Sequence, residues 1–300
     1  MSVVGSGQMS GSAHSDRLAP GRPGLVLLGI GTAAGIYSGL FGVGGGSVMV
    51  PLLIVLLAYD PRAATATSLA AITVIATAGT LTHAIYGNVA WVVAAVVAVP
   101  AIAGALVGTA LQQRVPRDWI AIGLAVLLVI GAVDLLRPLI SNLEVALGDA
   151  EMIGDIASVD VTSSTAVEQP LLLALAGFAA GVLGGMVGIG GGILVVPVLL
   201  YTQDLVEREA IATSLAAMIP MSAAAAARHY HYGNLRLREG VTLGVLGIVG
   251  AAIGASLAEV APEELLRLGF ALLMLLIAAQ MLRAVRRDRR AAAAPDAEPS

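Results

Sequence analysis

The chain has 300 residues, 58% of them hydrophobic and only 12% charged, with a mean hydropathy of +0.91. A water-soluble domain of this length carries about twice that charge, so the composition excludes an ordinary soluble enzyme. The lack of cysteine excludes disulfides, thiolate nucleophiles and iron–sulfur ligation, and the four scattered histidines form no metal-binding pattern.

In chain order, residues 1–24 form a Gly/Ser-rich polar tail without the layout of a signal peptide. Beyond it, charges are confined to short clusters. Asp, Glu, Lys and Arg are missing from 25–59, 63–113, 119–133, 169–203, 210–227, 240–258 and 268–282. A helix needs about 20 apolar residues to cross the hydrocarbon layer, and most of these stretches meet or approach that length. The fold class is therefore an all-α polytopic membrane protein. Four segments are expected over 25–138: 25–58, 63–86, 89–112 and 118–137. An acidic linker follows at 139–169, then four more segments over 170–285: 171–203, 209–232, 235–258 and 264–285. A tail, basic and then Ala/Pro-rich, occupies 286–300.

The two sets of segments are copies. Shifted by 146 positions, Gly35-Ile-Tyr-Ser-Gly39-Leu-Phe-Gly42-Val-Gly44-Gly45-Gly46 falls on Gly181-Val-Leu-Gly-Gly185-Met-Val-Gly188-Ile-Gly190-Gly191-Gly192. Pro51 falls on Pro197, Ala66-Thr67-Ser68-Leu69 on Ala212-Thr213-Ser214-Leu215, and His83, Gly87 and Asn88 on His229, Gly233 and Asn234. The first segment of each half is too long for a single crossing, since 34 residues make a rod of about 50 Å. Consecutive glycines, each unfavourable by about 1 kcal/mol in a helix interior, are expected to break it. A re-entrant hairpin and two short spans both remain open.

Charge predicts orientation. The linker carries Glu144, Asp149, Glu151, Asp155, Asp160 and Glu168, whereas Arg17 and Arg22 precede the first segment and Arg283, Arg286, Arg287, Arg289 and Arg290 end the last. The positive-inside bias places both termini inside and the linker outside. Each half then crosses an odd number of times, which makes the copies inverted repeats. Eight plain spans with parallel halves are the alternative.

The residues expected to carry function lie at the glycine breaks. No strand or nearby carboxylate supports a dinucleotide fingerprint, and Gly31, Gly35 and Gly39 suit close helix packing. A half-helix starting after each break would instead offer free amides at the positive end of its dipole, a natural anion site. The substrate-binding candidates are Gly44, Gly45, Gly46, Ser47, Thr67, Ser68, Gly190, Gly191, Gly192, Thr213 and Ser214. The bland alternative for the hydroxyls is a bond back to their own helix. Replacing Gly45 or Gly191 by leucine is expected to abolish function without unfolding the chain. His83, Asn88, His229 and Asn234, near helix ends, are gate or proton-linked candidates, with carbonyl capping and turn formation as the plainer readings. Asp134 interrupts an apolar stretch, but Arg137 is placed to pair with it. No catalytic residue, metal ligand or cofactor is expected.

The doubled Gly-x-x-Gly-x-x-Gly-x-Gly-Gly-Gly-x-x-x-x-Pro run at 35–51 and 181–197, each copy followed by Ala-Thr-Ser-Leu, resembles the sulfite exporter TauE/SafE family of membrane proteins. The resemblance spans roughly 25–285. It implies a secondary carrier of sulfite, sulfonates or other organic anions, multi-pass in the cell membrane. Its partners would be a small anion and the lipid bilayer, with self-association left open and nucleic acid excluded. Discontinuous inverted repeats suit alternating access. An anion channel is the alternative, and an intramembrane enzyme lacks the necessary nucleophile, paired acids or metal set.

Overall fold

A computed structural model describes residues 23–114, 169–203 and 205–293, with isolated helical positions between 125 and 136. The expectations for Arg17, Arg22, Asp134, Arg137 and nearly all of the acidic linker lie outside the described residues.

The described chain is all helix, with no strand among the described residues. It comprises α1 (Pro23–Phe41), α2 (Gly46–Leu57), α3 (Pro61–Ile85) and α4 (Trp91–Leu111), then α5 (Pro170–Val187), α6 (Gly192–Thr202), α7 (Glu207–His231), α8 (Leu237–Val260) and α9 (Glu263–Ala293). Six of these, α1, α3, α4, α5, α7 and α8, are long and apolar enough to cross a membrane. The protein is thus a multi-pass membrane protein. Local chemistry accounts for the boundaries. Pro61 sits in the first turn of α3, where its missing N–H costs nothing, and the Asp60 carboxylate accepts from the Arg62 amide at 2.9 Å. α3 and α7 end alike: the His83 and His229 carbonyls accept from the Asn88 and Asn234 amides at 3.2 and 3.1 Å, around Gly87 and Gly233 at φ +79° and +71°. α9 continues to Ala293, past the expected end at 285, so Arg286–Arg290 belong to the helix rather than to a separate tail.

Between α1 and α2 the chain doubles back. Gly42, Gly44 and Gly45 all have positive φ, and a Cβ on Gly45 would lie 2.5 Å from the Ala34 carbonyl oxygen, two turns back in α1. Between α5 and α6, Gly188, Gly190 and Gly191 also have positive φ, and a Cβ on Gly191 would lie 2.6 Å from the Ala180 carbonyl oxygen.

Two close, parallel helix pairs build the bundle. Along α1 and α8, Cβ atoms on Gly31, Gly35 and Gly39 would lie 2.7, 2.2 and 2.2 Å from the carbonyl oxygens of Leu243, Gly247 and Ala251. Along α5 and α4, Cβ atoms on Gly177, Gly181 and Gly185 would lie 2.4, 2.1 and 2.6 Å from the carbonyl oxygens of Val97, Ala101 and Ala105. Each contact maps onto its counterpart when both residues are moved by 146 positions, so each half's first helix packs on the other half's helix. Only hydrogen at those positions lets backbones approach this closely, and such packing replaces the hydrophobic drive that lipid cannot supply. Large apolar side chains such as Val99, Leu171 and Val249 cover the outer faces.

The helix directions sort the polar residues onto two ends of the bundle. At one end the Tyr59 hydroxyl donates to Glu239 at 2.5 Å and the Arg236 guanidinium lies 4.3 Å from the Tyr59 ring centre. Arg62, Arg114, Arg228 and Arg238 share that end. At the other end the Asn88 amide donates to Glu259 at 2.7 Å, and Arg208 approaches the same carboxylate at 3.7 Å.

Candidate functional site at the paired glycine breaks

The two breaks lie against each other at the centre of the bundle. A Cβ on Gly46 would be 2.1 Å from the Gly188 carbonyl oxygen, and one on Gly192 would be 2.2 Å from that of Gly42. Glycine is required at Gly46 and Gly192 by this approach of backbone to backbone, and at Gly44, Gly45, Gly190 and Gly191 also by positive φ.

Each break leaves donors unused. The first backbone bonds into α2 come from Val48 and Met49, both to Gly45, and those into α6 from Leu194 and Val195, both to Gly191. Among the described residues, the N–H groups of Gly44, Gly45, Gly46 and Ser47, and of Gly190, Gly191, Gly192 and Ile193, have no backbone acceptor. These are the orphan donors of a helix start, at the positive end of its dipole.

The serines and threonines divide. Ser68 Oγ shares its one proton between the Gly188 carbonyl at 2.9 Å and the Thr65 carbonyl of its own helix at 2.8 Å. Ser214 Oγ donates to the Gly42 carbonyl at 3.1 Å. Each serine thus holds the other half's break. The threonines turn elsewhere: Thr67 presents its methyl to Gly240 of α8, and Thr213 Oγ1 accepts from the Ala90 amide ahead of α4 at 3.1 Å. Thr67 and Thr213 thus make different contacts from the serines beside them, because adjacent residues on a helix point about 100° apart.

Two side chains absent from the sequence expectation fill the space between the breaks. Ile72 and Met218, themselves 146 residues apart, are fully buried or nearly so. Met218 Cε lies 2.1 and 2.4 Å from the Cβ positions of Gly44 and Gly190, while Ile72 reaches those of Gly44 and Gly46 at 3.1 and 2.9 Å. A signal for them existed in the sequence: each follows its serine by four residues, one turn along the same helix face.

The two halves differ in polarity around this centre. The hydroxyls of Ser38 and Thr80 are buried without a hydrogen-bond partner and those of Tyr37 and Ser47 are buried facing each other, whereas the matching positions are Leu183, Gly184, Ile193 and Ala226. A buried orphan hydroxyl is costly unless something else satisfies it, and these polar groups belong to the first half alone.

His83 and His229 are fully buried. His83 Nε2 donates to the Gly39 carbonyl of α1 at 3.1 Å, and His229 Nε2 approaches the Gly185 carbonyl of α5 at 3.4 Å. They fasten α3 and α7 to the helices that lead into the breaks rather than capping their own helices. Asn88 and Asn234 form the turns just beyond. Leucine at Gly45 or Gly191 would need a strained positive φ and a Cβ within 2.6 Å of a carbonyl, so the expected separation of function from folding does not hold at those positions. Among the described residues no group of three or more His, Asp and Glu is placed to hold a metal ion.

Six membrane-length helices around two abutting, donor-rich breaks define a polytopic helical membrane protein of the transporter class. The chain belongs to the sulfite exporter TauE/SafE family, whose model matches residues 3–135 and 173–299. A probable membrane transporter protein of Xylella fastidiosa (strain Temecula1 / ATCC 700964) is 26% identical over 257 residues, 85% of this chain and 93% of the relative. One from Haemophilus influenzae (strain ATCC 51907 / DSM 11121 / KW20 / Rd) is 27% identical over 277 residues, 86% and 97% of the two chains. The probable membrane transporter protein YunE of Bacillus subtilis (strain 168) is 32% identical over 105 residues, but the match spans only 35% of this chain and 38% of YunE. No solved structure matches significantly.

Proposed function

We propose that the protein is a secondary transporter of small anions, of the sulfite, sulfonate or organic-anion class, working by alternating access in the cell membrane. The observation that carries this reading is the juxtaposition of the two breaks, each with four unused backbone N–H groups. Neutral donors at dipole ends bind an anion without a fixed countercharge, which keeps binding weak enough for release. Gly44–Ser47 and Gly190–Gly192 contact the anion in this reading, with Ser68 and Ser214 setting the distance between them.

The repeats are read as inverted. The end carrying Arg62, Arg114, Arg228, Arg236 and Arg238 is cytoplasmic by the positive-inside bias. The α1–α2 hairpin then enters and leaves on that side, and α5–α6 does so from the other. Ile72 and Met218 close the centre in the conformation described, which favours a carrier over an open channel. Exchange follows when the α1–α2 and α5–α6 hairpins shift against α3 and α7, with His83 and His229 as the proton-linked candidates at their attachment points.

Purified protein in proteoliposomes tests the reading. Saturable sulfite uptake, accelerated by anion loaded on the opposite side, is the expected result. A non-saturating conductance, or uptake indifferent to the opposing anion, would overturn it.

A further inference from the structure

Away from the breaks, at the arginine-rich end of the bundle, α4 and α7 flank an open hollow of about 300 Å³. Its wall is apolar, from Leu106, Val107, Ala110 and Leu111, and its rim carries Arg114 and Arg228, with no carboxylate among the described residues of the lining. Arg228 is held in place: its Nε donates to the Tyr232 hydroxyl at 2.9 Å, and its guanidinium lies 5.8 Å from that ring's centre. Val107 is 47% exposed on the outer surface of α4, so the apolar wall opens sideways toward the acyl chains.

The equivalent positions of the other half carry no such cations. The positions equivalent to Arg114 and Arg228 are Val260 and Thr82, at the opposite end of the bundle. The repeat itself therefore does not demand the arginines; they belong to one membrane face. Two cations above an apolar wall at a membrane boundary match an amphiphile with an anionic head.

We propose that this hollow binds the headgroup of an anionic phospholipid, with Arg114 and Arg228 on the phosphodiester and an acyl chain along Leu106, Val107 and Ala110. In the orientation argued above this is the cytoplasmic leaflet, where basic hollows between membrane helices meet anionic lipid. The inference rests on the hollow alone and stands whether or not the breaks carry an anion.

The test uses the full chain in detergent, with phosphatidylglycerol, phosphatidylcholine and inorganic phosphate as separate probes. Lipid retention is read by native mass spectrometry and Tm by thermal melting. Phosphatidylglycerol is expected to be retained over phosphatidylcholine by a factor on the order of ten or more, two nearby cations each favouring the anionic head, and to raise Tm. The variant Arg114→Gln/Arg228→Gln is expected to lose that preference. Arg114→Gln alone, at an exposed position, is expected to lose part of it and keeps the test decidable if the double variant misfolds. Equal retention of the two lipids, an unchanged preference in the variants, or equal protection by inorganic phosphate would each overturn the proposal.

Discussion

Ser68 and Ser214 hold each other's half of the molecule together: Ser68 Oγ donates to the carbonyl of Gly188 at 2.9 Å, and Ser214 Oγ to that of Gly42 at 3.1 Å. Both acceptors are the first residue of a glycine break, and all four residues are buried. The bonds cross between halves, so they set the spacing of the two rows of unused amides. Alanine at either serine leaves a buried carbonyl unpaired, a loss of roughly 1–3 kcal/mol. Ser68→Ala and Ser214→Ala are each expected to lower Tm and to weaken anion uptake. Thr67→Val, whose hydroxyl has no partner, is expected to leave both nearly unchanged, which thermal melting and proteoliposome uptake would check.

Glycine contacts make a sharper stability contrast. A Cβ at Gly181 would stand 2.1 Å from the Ala101 carbonyl oxygen, while one at Gly29 meets nothing within 4 Å. Gly181→Ala is expected to destabilise by about 1–3 kcal/mol through forced separation of α4 and α5. Gly29→Ala, in an open helix position, is expected to be neutral or to stabilise by up to about 1 kcal/mol. Unfolding in mild detergent distinguishes them.

Met218 plugs the centre where the repeat places Ile72. Met218→Ile makes the plug symmetric and is expected to cost less than about 1.5 kcal/mol, being nearly volume-conserving. Met218→Ala is expected to cost about 2–5 kcal/mol and to raise anion leak across proteoliposomes relative to Met218→Ile. A leak identical in the two variants would remove the plug from the account.

Tyr59, in the short link between α2 and α3, has its phenol pushed up from 10 to about 12, first by burial and then by the Glu239 carboxylate that accepts its proton, with Arg236 opposing. A folded pKa above the unfolded value contributes stability that is complete below pH 10 and lost as pH rises through about 12. Alkaline melting curves are therefore expected to fall more steeply for the native chain than for Tyr59→Phe across that window.

Orientation is checked with single cysteines, since the chain has none of its own. Arg238→Cys and Val260→Cys, exposed at opposite ends of α8, are expected to react with impermeant reagents from opposite sides of the membrane, Arg238→Cys from the cytoplasm. Labelling of both from one side would end the inverted reading.

Much of this was legible from residue order. The spacing of 146 that aligned Gly42 with Gly188 and Ser68 with Ser214 is the spacing at which the packed contacts pair off. Apart from α9, and with the ends of the expected 118–137 segment outside the described residues, helix ends fell within a few residues of expectation because Pro61, Pro170, Gly87 and Gly233 signal them through local backbone chemistry. Less legible was the direction each side chain takes. Thr67 and Ser68 looked equivalent as neighbours in one short motif, yet one faces α8 and the other the opposite break. α9 overran its expected end because Arg286–Arg290, though polar, are good helix formers.

What the sequence determined by itself is whatever depends on composition and on neighbours along the chain: membrane-length helices, their boundaries, and the positions where glycine interrupts them. What only the tertiary structure decided is who meets whom: α1 on α8 instead of on its own half, the α1–α2 chain doubling back, and Ile72 with Met218 between the breaks. The physical reason is that these helices are apolar on every side, so hydropathy marks no inward face. Their partners are chosen by shape, by which glycine rows allow two backbones to touch, and shape exists only once the helices are placed.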